Sequence, residues 1–190
     1  MGGELLASQI KLFEFSNYVR IIPSLYDKSP LGCAAGVSRF GGVSKKFSTL
    51  YAARNLATAL AETVVRDRFE GVEDRHLFTT ELAGRSAVQL RTIKPLRLVD
   101  LRSGGCLRLG ISTDIAGAKC FNEAQQFSDI VYTEKSIDGI LYASRLTNEN
   151  CVAVFDRAIV THLASNKVAP LTTLVNIGDA LKNLNIKLIA

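Results

Sequence analysis

Most apolar runs in this chain are too short for helices and read as strands. "YVRII" (18–22), stopped by Pro23, and "TLYAA" (49–53) are two such runs. "HLFTTEL" (76–82) and "AVQLRTI" (87–93) show partial alternation, and "LRLVDL" (96–101) is largely apolar. These three are strand candidates, as are "DGILYAS" (138–144), "CVAVFD" (151–156) and "AIVTHL" (158–163). Helical periodicity marks "RNLATALAETVVRDRF" (54–69), where Leu56, Ala59, Leu60, Thr63 and Val64 recur at the spacing of one buried face. Glu62 is expected on the flank of that face, between core and water. "STDIAGAKCFNEAQQFSDIVYTE" (112–134) reads as helical with a break near Gly117. The segment 5–15 reads as a short docking helix, and 173–189 as a helix followed by a last strand. Strands follow one another without strict βαβ alternation, which indicates an α+β fold. Residues 24–48 form a long loop with Pro30, Gly32, Gly36, Gly41 and Gly42. A loop of that length in a compact domain tends to carry function.

Length and charge narrow the picture. The 190 residues suit a single domain, 1–190, with 47% hydrophobic and 22% charged residues, enough for a core without disulfides or metal. The net charge of +5 raises nucleic acid, an anionic surface or a phosphate-bearing small molecule as partners. The longest basic run is only Lys45-Lys46, which argues against a nucleic-acid patch, and a basic nucleic-acid-binding module stays as the alternative of a different class. Cys33, Cys106, Cys120 and Cys151 are widely spaced, and only His76 and His162 accompany them, so no metal site is expected. The start of the chain lacks the pattern of a signal peptide, and no apolar run reaches the ~18 residues of a membrane span. A cytoplasmic location with reduced thiols is the expectation.

The common phosphate loops and the GxSxG nucleophile motif are absent. Single residues carry two readings each. Glu62 stands four residues before Arg66, the spacing of a solvated helix ion pair. Tyr51 alone is ordinary core. Arg20 sits in an apolar strand, where a buried guanidinium needs an anion from the protein or a ligand. Ser144, at a strand end, suits a cap or a turn. Gly41-Gly42 fits a plain turn or a close approach to a ligand.

Taken in order, Arg20, Arg39 in "SRFGG", Tyr51 in "TLYAARNLATALAET", Glu62 in "ALAE", Ser144 in "DGILYASR" and the late "CVAVFD" resemble the RES domain family, over about 18–155. The segment after Arg39, "SRFGGVSKKFS", departs from the family's Asn- and Pro-containing version, so the loop between Arg39 and Tyr51 is expected to differ in shape. The resemblance implies a mixed, split β-sheet with flanking helices, similar to ADP-ribosyltransferases. It implies a toxin acting on NAD as substrate, by hydrolysis or phosphorolysis of the nicotinamide–ribose bond, or by transfer of ADP-ribose to a protein. It also implies a cognate antitoxin of Xre type. Inorganic phosphate and a homodimer are further possible partners; no prosthetic group and no membrane association are expected.

On that resemblance the site residues follow from the chemistry. Loss of nicotinamide leaves a positively charged ribose, which a fixed carboxylate, Glu62, stabilises. Arg20 and Arg39 are natural clamps for a pyrophosphate. Tyr51 is placed to orient the nicotinamide, and Ser144 to hold Glu62 or the ribose.

Overall fold

The computed structural model describes residues 3–36 and 38–189. Its strands are β1 (Ile10–Phe13), β2 (Tyr18–Pro23), β3 (Thr49–Ala53), β4 (His76–Phe78), β5 (Arg85–Thr92), β6 (Leu96–Asp100), β7 (Gly139–Ala143), β8 (Asn150–Phe155), β9 (Leu163–Ser165), β10 (Ala169–Pro170) and β11 (Lys187–Ile189). One mixed sheet runs in the order β1-β6-β7-β8-β3-β2-β5-β10, with β9 also on β5, while β11 and β4 form a small parallel pair. Within the large sheet β6 and β7 are parallel and the other pairings antiparallel.

The sheet is split in its middle. β2 pairs with β5 along its full length, and β3 does the same with β8. Between β2 and β3, however, only Val19 and Ala53 are paired. The two halves therefore diverge from one bridge, and the gap leaves room for a cavity.

Both faces of the sheet are covered. In β3, Leu50 and Ala52 pack on one side and Tyr51 and Ala53 on the other; in β8, Val152 and Val154 oppose Cys151, Ala153 and Phe155. This is the two-residue period of a strand with a hydrophobic layer on each face. The Tyr51 side also holds Leu56 and Leu60 of the helix that follows β3, and Phe127 and Val131 of the helix Asn122–Thr133.

Three segments differ from the pattern-based reading. "AIVTHL" lies in the helix Asp156–His162 up to its last residue, and only Leu163 enters a strand, β9. There Ala158 and Ile159 are buried while Val160 is exposed, and so short an apolar run does not distinguish a helix from a strand. "HLFTTEL" keeps a strand only in β4; Glu81 turns back to accept a bond from the Phe78 N–H, 2.8 Å, and starts the helix Thr79–Leu82. The segment 5–15 divides into the helix Gly3–Ala7 and strand β1.

The helix after β3 holds the largest departure. Asn55 caps it, its Oδ1 accepting from Thr58 N at 2.8 Å. It is α-helical only over Leu56–Leu60 and continues as a π-helical turn, Ala61–Val65, closed by Arg66 N–H on Ala61 O at 2.7 Å. The wider turn shifts the phase of the side chains. Ala61 becomes buried and Thr63, expected in the core, is exposed.

Candidate active site at the sheet split

The gap between β2 and β3 opens into a cavity of about 340 Å³, within the usual range for small-molecule sites. Glu62 projects into it from the π-helical turn, Tyr51 from β3, Arg39 and Ser38 from the long loop. Five basic residues, Arg20, Arg39, Arg66, Lys119 and Arg145, border it against two acidic ones, Glu62 and Asp67. The excess of positive charge favours an anionic ligand.

Glu62 is not paired with Arg66. Its Oε1 accepts a 2.6 Å hydrogen bond from Ser144 Oγ, and it joins no ion pair among the described residues. The π-helical turn undoes the i,i+4 geometry that the spacing suggested. Ser144 combines both of its expected roles. It is 1% exposed, and its hydroxyl donates to Glu62 while accepting from Leu146 N at 3.1 Å and Thr147 N at 3.2 Å. The turn after β7 thus fixes the hydroxyl, and the hydroxyl fixes the carboxylate.

Tyr51 is held as firmly. Its hydroxyl accepts from Phe40 N at 2.8 Å and donates to Ser38 Oγ at 3.0 Å. Burial pushes the phenol up to about 12, so it stays neutral at physiological pH. These bonds tie the loop 38–40 to the floor of the cavity. Gly41 and Gly42 serve the same loop: a Cβ on Gly42 would lie 2.6 Å from the Phe47 ring, and one on Gly41 would lie 2.6 Å from Ser38 Oγ. The glycine pair is thereby required by the chain's own packing.

Arg39 lies over the Phe121 ring, 4.9 Å from its centroid, and donates from Nη1 to Ile115 O at 3.4 Å. Burial lowers its pKa, and the nearby Tyr142 and Glu62 oppose that shift. Arg39 is therefore within electrostatic reach of the Glu62 carboxylate. Arg20 lines the same cavity but stands apart from that group. Alternation along β2 sets it on the Tyr18 side, opposite Val19. Its Nη2 donates to Gly32 O at 2.7 Å, and its buried Nε has no partner. Burial lowers its pKa, with Cys33 as the neighbouring group that opposes it.

Residues that single-residue reasoning did not select complete the walls. Asp67 and Arg145 form an ion pair at one end. Arg145 was within reach, because it ends the quoted "DGILYASR". Phe121 and Lys119, from the break between two helices, carried no signal in the sequence. Cys151 lines the floor, where burial pushes its thiol up to about 12 and keeps it neutral. Among the described residues no three His, Cys, Asp or Glu side chains cluster as a metal site, and no helix is long and apolar enough to cross a membrane.

Comparison with known proteins bears on the family and the fold. Probable toxin y4kH of Sinorhizobium fredii (strain NBRC 101917 / NGR234) is 41% identical over 80 residues, which is 42% of this chain and 63% of that relative. The match thus spans less than two thirds of the relative's length. A chain of the M. tuberculosis MbcT-MbcA toxin–antitoxin complex superposes with a TM-score of 0.64 at 14% identity, covering 87% of this chain and 89% of that one, a likeness of fold. The RES domain family model matches residues 19–173, through the split sheet and every residue of the Glu62 group. The chain belongs to the RES domain family.

Proposed function

We propose that this protein is a toxin of a toxin–antitoxin pair, and that it cleaves the bond between nicotinamide and ribose in NAD. The observation that carries the reading is the Glu62 carboxylate, clamped by the buried Ser144 hydroxyl at 2.6 Å in a cavity rich in guanidinium groups. The relative's name and the neighbour's title support the toxin part. A cognate antitoxin, of Xre type, is the expected partner.

The reaction needs little proton chemistry at its first step. As the bond from ribose C1′ to the nicotinamide nitrogen breaks, its electron pair goes to the pyridinium ring, which leaves as neutral nicotinamide. Positive charge develops on C1′ and the ring oxygen. Glu62 stabilises that charge and accepts a hydrogen bond from a ribose hydroxyl. A fixed carboxylate does so without reorganising in the transition state, and partial exclusion of water strengthens the effect. Tyr51 and the Phe121 side of the cavity confine the leaving ring, and Arg39 meets the nearby phosphate. Water or inorganic phosphate then attacks C1′ and loses a proton to solvent, giving ADP-ribose or its 1″-phosphate; a protein side chain in that place, losing its proton likewise, would give ADP-ribosylation.

The test is chromatographic detection of nicotinamide from NAD. Purified wild type is expected to release it, and Glu62→Ala to lose at least about 100-fold in rate, the scale of removing one electrostatic stabiliser. Equal rates for the two proteins would refute the assignment.

A further inference from the structure

A second, more open cavity of about 600 Å³ adjoins the first. The two share Arg66, Asp67, Arg145 and Leu146 as a common wall. Its far side is formed by Asn183–Ile186, beyond the residues 19–173 that match the family. The rest of its lining lies inside that match, so the C-terminal segment closes one side of a cavity that the family domain otherwise builds.

The charges in it are unevenly matched. Asp67 is paired with Arg145, and Glu70 with Lys119. Arg66 and Arg75 are in no ion pair among the described residues. Arg75 is positioned by a 3.0 Å bond from its Nε to Val72 O. Arg66 is held in a backbone conformation unusual for a side-chain-bearing residue, φ 49° and ψ −131°, by the bond that closes the π-helical turn. That strain sets its side chain on the wall between the two cavities. Phe69, Leu184 and Ile186 supply an apolar lining, and Asn183 and Asn185 supply amides at the rim.

A flat apolar body with a polar edge, attached to phosphate, matches these surfaces. The geometry points to the second cavity as the seat of the adenosine monophosphate half of the substrate, with Arg66 at the phosphates and Arg75, Asn183 and Asn185 around the nucleoside. The dinucleotide then spans both cavities, nicotinamide riboside in the first and adenosine in the second. This assignment rests on the proposed reaction, and it makes the tail a determinant of substrate choice.

The test uses the full chain and two probes, AMP and nicotinamide mononucleotide. Wild type is expected to bind AMP in calorimetry, and AMP to compete with NAD. Arg75→Ala is expected to weaken AMP about tenfold and to lower kcat/KM for NAD about tenfold, narrowing the preference for NAD over the mononucleotide by the same factor. Asn183→Glu changes an exposed residue, so folding is not at stake, and it places a repelling carboxylate at the rim with the same expected effects. Unchanged AMP affinity and an unchanged NAD-to-mononucleotide ratio in both variants would overturn the inference and leave the reaction standing. AMP binding that both variants weaken, in a wild type that cleaves no NAD, would uphold the cavity and remove the reaction.

Discussion

At the scale of single residues, two hydroxyls, those of Ser144 and Tyr51, hold the groups of the cavity still. The Ser144 hydroxyl makes three hydrogen bonds, one to Glu62 and two to the turn that follows β7. Ser144→Ala removes three hydrogen bonds to half-buried partners, so it is expected to cost about 1 kcal/mol of stability in denaturant unfolding. It also frees the carboxylate, and the loss of turnover is expected in kcat, with KM little changed. Loss of stability with full kcat would make Ser144 a turn residue alone. Tyr51 gives a pH dependence. Its pKa stands at about 12 in the folded chain against an ordinary 10.0, so the folded state binds that proton more tightly. Stability from this source is complete below pH 10 and falls as pH rises toward 12. Wild type is therefore expected to lose stability over that window more steeply than Tyr51→Phe, as measured by thermal melts at increasing pH.

At the scale of elements, much of the site was legible and part was hidden for physical reasons. β2, β3, β7 and β8 follow their apolar runs closely, because central strands covered on both faces leave little choice of register. The helix break near Gly117 was legible from the same pattern, and it appears between Asp114–Gly117 and Asn122–Thr133. The Ser144 contact to Glu62 was one of two roles expected for that serine, whereas the Arg66 pairing suggested by the spacing of Glu62 is not made. Periodicity assumes 3.6 residues per turn, and the π-helical turn at Ala61–Val65 breaks that assumption where Glu62 lies. The approach of Phe121 to Arg39 joins distant segments through irregular chain, which no local pattern encodes. Two predictions belong here. Asn55→Ala removes the cap of the helix that presents Glu62 and is expected to cost about 1 kcal/mol in thermal or denaturant unfolding. Gly42→Ala presses on the Phe47 ring and is expected to cost about 1–3 kcal/mol, whether or not substrate is present. A fully stable Gly42→Ala that fails only in substrate binding would restore the ligand-approach reading.

At the scale of the whole molecule, the split sheet is what turns a two-layered α+β core into an open site. One bridge, Val19 with Ala53, holds the halves together. The divergence beyond it opens the cavity and leaves the facing edges of β2 and β3 paired at that bridge alone, while each strand is fully paired on its other side. Basic side chains gather along that opening although the chain as a whole shows no basic run, so the charge is patterned by the fold and not by sequence blocks. The most direct measurement of the central claim is the rate of nicotinamide release from NAD by wild type and by Glu62→Gln, side by side. Glutamine keeps the shape and an oxygen for the Ser144 hydroxyl but removes the charge. A fall of at least about 100-fold in kcat with an unchanged melting temperature is the predicted result. A Glu62→Gln protein that releases nicotinamide at the wild-type rate would contradict the account.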